Sequence, residues 1–262
     1  MAGKRPQPAR TQAPVVQRLH LRYAKRGNLR FASHRDFARA LERAVRRAGV
    51  PIAYSQGFTP HPKISYAGAA PTGVASSAEY LELALRERTD PAAVARALDA
   101  ALPSGLDVVE AVEAGPGGLA DRIDASAWRI EIPGLTVERA AAAVTTFLAA
   151  TEIHVGRVTK RGERILDVRG PIVRLLVKGE ADVAPSGVEG LPCAILDLVV
   201  RHVIPTVRPD DVLTGLRAVA DLELCESPRA TRLAQGGLAA EGEIVDPLAA
   251  DRDAADWQTS SA

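Results

Sequence analysis

The chain has 262 residues, 47% hydrophobic and 25% charged, a globular composition large enough for one sizeable core or two modest ones. Its net charge of +1 hides a segregation: residues 1–63 hold fourteen Lys/Arg against two Asp/Glu, whereas residues 221–262 hold nine acidic and three basic residues. Two cysteines without CxxC spacing exclude a zinc ribbon, a thioredoxin-type motif and an iron–sulfur cluster ligated by three cysteines of this chain; with no long apolar run or signal-type h-region, the cytoplasm is expected, with both thiols buried and no membrane contact.

Residues 1–13, rich in Pro, Arg and Gln, are expected to be disordered. Residues 15–23 alternate as a first strand, and Arg30 and Phe31 close a short turn or strand segment. Ser33 is placed as an N-cap, with Asp36 three residues on in a capping-box variant, opening a helix that stops at Gly49. Strands are expected at 52–55, 63–67 and 79–85, a helix capped by Asp90 with Pro91 at its first position, and a strand at 106–112. This order is the ferredoxin-like βαββαβ arrangement with one extra hairpin strand.

After a linker at 115–126 the pattern recurs. Strands are expected at 128–132, 153–159, 165–168, 173–177, 194–200 and 222–226, with helices at 137–150 and 209–220. The expected fold is therefore α+β, two tandem ferredoxin-like domains at 14–114 and 127–233, followed by a disordered acidic tail at 234–262.

On the first helix Phe37, Leu41, Ala44, Val45 and Ala48 form one apolar stripe, while Arg35, Arg39, Arg43 and Arg46 gather on the opposite side with Arg47 at the edge. Either this is a solvated face or it faces phosphate. Solvated faces usually mix signs, because like charges four residues apart repel by a few tenths of a kcal/mol. With Lys25, Arg30 and Lys63, the stripe forms the expected nucleic-acid-binding set.

The loop from Tyr54 to Lys63 is the sharper feature. Pro60 and Pro62 stiffen Thr59 and His61, and Gly57 allows a tight turn. Ser33, His34, Asp36, Tyr54, Gln56, Phe58, His61 and Lys63 make up a candidate selective site; the alternative is a rigid hairpin whose polar groups satisfy its own backbone. His34 sits in the first helical turn, where the helix dipole favours a neutral imidazole. A weaker basic cluster surrounds a hairpin tip at Lys160–Arg161, with Asp167 expected to pair with Arg169 or Arg208. Walker A, nucleophile-elbow, HExxH, Rossmann and RRM signatures are absent, and no metal or cofactor is expected.

The run from Lys25 to Asp36, then Arg46–Gly49, then Tyr54–Ser65, resembles the radical SAM-linked protein family, a bacterial domain of unknown function. The similarity continues through Pro71, Gly73, Glu79 and Tyr80, resumes more weakly near 161–169 and 207–216, and so spans about residues 15–230. In that family the domain is fused behind a radical SAM module or is a separate chain, often encoded near an E/G-type ribonuclease. Two cysteines cannot supply the Cys-x3-Cys-x2-Cys cluster motif, so the resemblance implies action in trans beside a separate radical SAM enzyme.

Three functions follow as expectations. The first is an RNA-binding accessory, for tRNA or rRNA, to a radical SAM enzyme. The second is an RNA-processing enzyme using His61 or His34 as general acid or base. The third is an interaction scaffold for a radical SAM enzyme or a ribonuclease.

Overall fold

The computed structural model describes residues 14–56, 58–159, 162–180 and 192–260. The expected disordered start at 1–13, the turn glycine Gly57, the hairpin-tip residues Lys160 and Arg161, and the final residues 261–262 lie outside them. No helix among the described residues is long and apolar enough to cross a membrane.

The first half runs β1 (Gln17–Lys25), a 3-10 turn (Gly27–Phe31), α1 (His34–Arg47), β2 (Ile64–Ala67), β3 (Ala75–Leu85), α2 (Pro91–Ala101) and β4 (Leu106–Glu113). Alternate residues Leu19, Leu21 and Tyr23 of β1 face the same way as Leu81, Leu83 and Leu85 of β3. Phe37, Leu41 and Val45 of α1 and Val94 and Leu98 of α2 close over them as one core. Asp90 caps α2 by accepting from the Ala92 and Ala93 N–H groups at 3.1 Å each, and Pro91 opens the helix where no donor is needed.

The second half runs from a 3-10 turn (Leu119–Arg122) through β5 (Ala125–Pro133), α3 (Val137–Ala149), β6 (His154–Thr159), β7 (Gly162–Asp167), β8 (Ile172–Glu180), β9 (Cys193–Arg201), α4 (Pro209–Ala220), β10 (Arg229–Leu238), β11 (Ile244–Val245) and α5 (Ala249–Ser260). Trp128, Ile130 and Ile132 meet Leu196, Leu198 and Phe147 in a second core beneath α3 and α4.

The architecture is α+β, with five α-helices among the described residues and one large mixed sheet. Its main path is β4-β1-β3-β10-β5-β9-β8, with β2 on β3 and β11 on β10; β6 and β7 pair with each other in a separate ribbon. Within each half the neighbours are antiparallel: β4-β1-β3-β2 in the first, β10-β5-β9-β8 in the second. The halves join where β10 lies parallel to β3, at Thr231 opposite Ala75 and Arg232 opposite Ser76.

Several expected elements move. Residues 52–55 form isolated bridges, Ile52 to Leu85 and Tyr54 to Pro62, in place of a strand, because Pro51, Pro60 and Pro62 cannot donate to a ladder. The last strand of the second half begins at Arg229, beyond the expected 222–226, and carries buried Arg232 and Gln235 that break the apolar alternation. Cys193 is buried but Cys225 is exposed, against the expectation of two buried thiols.

The tail is the main correction. Residues 234–254, expected to be disordered, complete β10, form β11 and enter α5, and Leu248 is fully buried against Tyr80 and Leu119. The close approach of the returning backbone requires Gly236 in β10: a Cβ there would stand 1.9 Å from the Val245 carbonyl oxygen. The returning segment covers the face of the first half's sheet opposite α1 and α2, which is why β1 is buried on both sides.

Candidate nucleic-acid interface

Ser33 opens α1 as expected. Its hydroxyl accepts the Asp36 N–H at 3.2 Å and donates to the Asp36 carboxylate at 2.6 Å. That side-chain bond, aided by Arg39 and Arg35, holds the Asp36 carboxyl below its usual range. The two residues satisfy each other as a cap and are not free to read a ligand. Ser33→Ala is expected to cost about 1 kcal/mol of stability, seen as a lower urea midpoint with an unchanged slope.

The apolar stripe of α1 is buried as expected, which turns Arg35, Arg39, Arg43, Arg46 and Arg47 to solvent. Among the described residues none of these five has a carboxylate within ion-pair distance; Arg46 donates only to the Glu42 carbonyl, at 3.2 Å. Elsewhere exposed or half-buried arginines do find acids: Arg88 meets Glu113 at 2.8 Å, and Arg252 meets Glu110 at 2.8 Å and Asp246 at 2.9 Å. Asp36 lies near enough to feel Arg35 and Arg39, but no carboxylate among the described residues pairs with the cationic face of α1 at ion-pair distance.

At the start of α1 the His34 ring stands edge-on to Tyr66 of β2, 4.7 Å between centroids. Burial, then Glu42, pushes the Tyr66 phenol up to about 12, so it is neutral at physiological pH. Beyond the end of α1 the hairpin 53–63 leaves the edge of β3. Its base is fixed by Ala53 N–H to the Ala84 carbonyl, Lys63 N–H to the Ala53 carbonyl and Ser55 N–H to the His61 carbonyl, at 2.7–2.8 Å. The Ser55 hydroxyl also accepts the His61 N–H at 3.0 Å. Tyr54 packs its ring against the first core, while Gln56, Phe58, His61 and Lys63 are exposed.

The expected site residues therefore divide. The α1 arginines, Gln56, Phe58, His61 and Lys63 are all exposed. His34 contacts Tyr66, and among the described residues no hydrogen bond joins it to Tyr54, Gln56, His61 or Lys63. Neither the His34 nor the His61 ring has an orienting carboxylate among the described residues. Lys25 does not belong to this surface. It is 5% exposed and donates to the Pro71 carbonyl at 3.1 Å, with burial lowering its pKa while nearby Glu79 opposes that shift. Its place at the end of β1, under the loop 68–74, turns it inward. Arg30 is half-buried, its guanidinium 4.7 Å from the centroid of the neighbouring Phe31 ring.

Phe31 was missed among the candidates, although it lies two residues before the N-cap and is 57% exposed; Phe58 is 84% exposed. Sequence reasoning also missed three buried polar groups. Arg232 donates to Glu79 at 2.5 Å and to Gln235 at 2.8 Å, and the other Glu79 oxygen accepts the Ala70 N–H at 2.9 Å. His20, fully buried, meets Asp251 through Nδ1 at 2.7 Å and Glu82 through Nε2 at 3.3 Å. Ser126 Oγ lies 2.6 Å from His202 Nε2, but Ser126 is fully buried, so this Ser–His pair offers no nucleophile to a substrate. Burial, with Arg232 adding, lowers the His202 pKa and favours the neutral ring that accepts the Ser126 hydroxyl. Asp167 takes backbone N–H groups of Ile153, Arg169 and Gly170 at 2.9–3.0 Å, in place of the expected arginine pair.

Residues 18–209 match the family model described as an uncharacterized protein conserved in bacteria (DUF2344), and the chain belongs to that family. The matched span contains α1, the hairpin 53–63 and Glu79, and ends at the start of α4. No curated protein matches the chain.

Proposed function

We propose that the chain is an RNA-binding accessory protein that engages RNA phosphates through the outer face of α1 and serves a separate radical SAM enzyme in RNA modification. The observation that carries this reading is the line of exposed arginines, Arg35, Arg39, Arg43 and Arg46, with no carboxylate at ion-pair distance among the described residues. Over about 20 Å of helix, at 1.5 Å per residue, it offers a run of guanidinium groups suited to successive phosphates. The radical SAM connection rests on the resemblance of the 25–65 segment, and the two cysteines require the cluster to come from another chain. We read each half as ferredoxin-like, supported by the repeated strand order, with β6 and β7 inserted into the second.

Fluorescence anisotropy with a labelled RNA, titrated against salt, is the test. Binding should weaken steeply as salt rises, and an Arg39→Ala/Arg43→Ala double variant should lower affinity and reduce the log–log salt slope by about 1.5–2. Salt-independent affinity, or wild-type binding by the double variant, would overturn the reading.

A further inference from the structure

Resting on that RNA-binding reading, we propose that this surface takes single-stranded RNA and not A-form duplex, with bases stacking on Phe31 and Phe58, which flank the arginine helix in the chain. The chain has four phenylalanines. Phe37 and Phe147 are buried in the two cores, and Phe31 and Phe58 are held out to solvent. Both lie on the same element neighbourhood: Phe31 just before α1, Phe58 on the hairpin that follows it.

Neither ring rides on a loose segment. The Ala32 N–H donates to the Leu29 carbonyl at 2.9 Å and the Gly73 N–H to the Arg30 carbonyl at 2.8 Å, bracketing Phe31. The Ser55 and His61 bonds close the base of the Phe58 hairpin. Arg30 lies over the Phe31 ring and adds a cation beside a stacking platform. A cationic track with exposed aromatics on anchored backbone is the arrangement that binds unpaired strands, because any base has a π-face to stack. In an A-form duplex those faces are already stacked on neighbouring pairs, and recognition falls to shape, 2′-hydroxyls and phosphates. A duplex would leave both phenylalanines without a partner.

The test compares a labelled oligouridylate of about 12 nucleotides with a labelled duplex of about 16 base pairs, using the full chain. The single strand should bind more tightly. Phe31→Ala and Phe58→Ala should each weaken it roughly 5- to 150-fold with the salt slope unchanged, while Phe58→Trp retains binding. Both rings are exposed, so the variants should fold, as an unchanged unfolding midpoint would verify. Equal or tighter duplex binding, or wild-type single-strand affinity in both alanine variants, overturns this inference while leaving RNA binding intact. Failure of the wild-type protein to bind either RNA sinks the RNA reading itself, and this inference with it.

Discussion

Glu79→Ala is expected to destabilise the protein by about 3–5 kcal/mol, the cost of stranding a buried charge whose partner is removed. Glu79 stands where β3 and β10 meet. It accepts the Arg232 guanidinium at 2.5 Å and the Ala70 N–H at 2.9 Å, with Lys25 close enough to feel its charge. The alanine variant leaves two buried cations without this carboxylate and the Ala70 donor without an acceptor. The packing beside it is close: Gly68, at φ +61°, lies so near Gln235 that a Cβ there would be 2.4 Å from its amide oxygen. Trp128, whose ring lies 5.2 Å from the Arg232 guanidinium, offers a fluorescence reporter for urea unfolding. Glu79→Gln should lose less than alanine, because an amide oxygen still accepts one of the two bonds. Adding Arg232→Met should recover part of the loss, since removing both charges avoids leaving either one alone. An alanine variant that unfolds at the wild-type midpoint would show that this pair does not hold the two halves together.

The second large effect is expected at Asp251. This carboxylate, 1% exposed, accepts from His20 at 2.7 Å, the Gly115 N–H at 2.9 Å and Arg122 at 2.8 Å. It anchors the start of α5 to β1 and to the connection between the halves. Asp251→Ala should cost several kcal/mol, about 3 or more, and speed hydrogen exchange in β1 beneath the released segment. Burial alone would raise the Asp251 pKa, but the bonds from His20, Gly115 and Arg122 outweigh it and hold the carboxyl below its ordinary value. The ionised form is therefore the stabilising one. Its contribution is complete above the unfolded-chain value of about 3.9 and is lost as pH falls through the lower folded value. The stability gap between wild type and Asp251→Asn should accordingly narrow between about pH 5 and about pH 3. A gap that stays constant or widens over that interval would contradict the arrangement. Glu82 and Arg122 face the same His20–Asp251 pair from β3 and the connecting turn, so both remain in place in the comparison.

The first four helices were legible because helical signals are local, whereas α5 was not. Ser33, and Asp90 with Pro91, mark starts in the chain itself, and α1 and α2 begin at those signals. The arginine face of α1 was legible for the same reason, since helical periodicity sets the exposed side once the apolar stripe is known. The hairpin 53–63 was legible as a stiff, polar loop, but not as a strand-poor one. β10 was not legible at its true place. Gln235 and two adjacent glycines read as tail and Arg232 was given no element, and they become strand residues because Glu79 and the Ala78 carbonyl wait for them across the junction.

By itself, the sequence determined the alternation of helices and strands and the segregation of charge, and its two cysteines are too few for a cluster held by three cysteines within these 262 residues. The tertiary structure alone decided which charges are buried. Lys25 turns inward, while Arg232 and His20 find carboxylates 153 and 231 residues away. A charged residue has the same local propensity whether its partner is near or distant. Its burial depends on a counter-charge that folding brings to it, so the acidic tail became a docked segment while the arginines of α1, given no such partner, stayed at the surface.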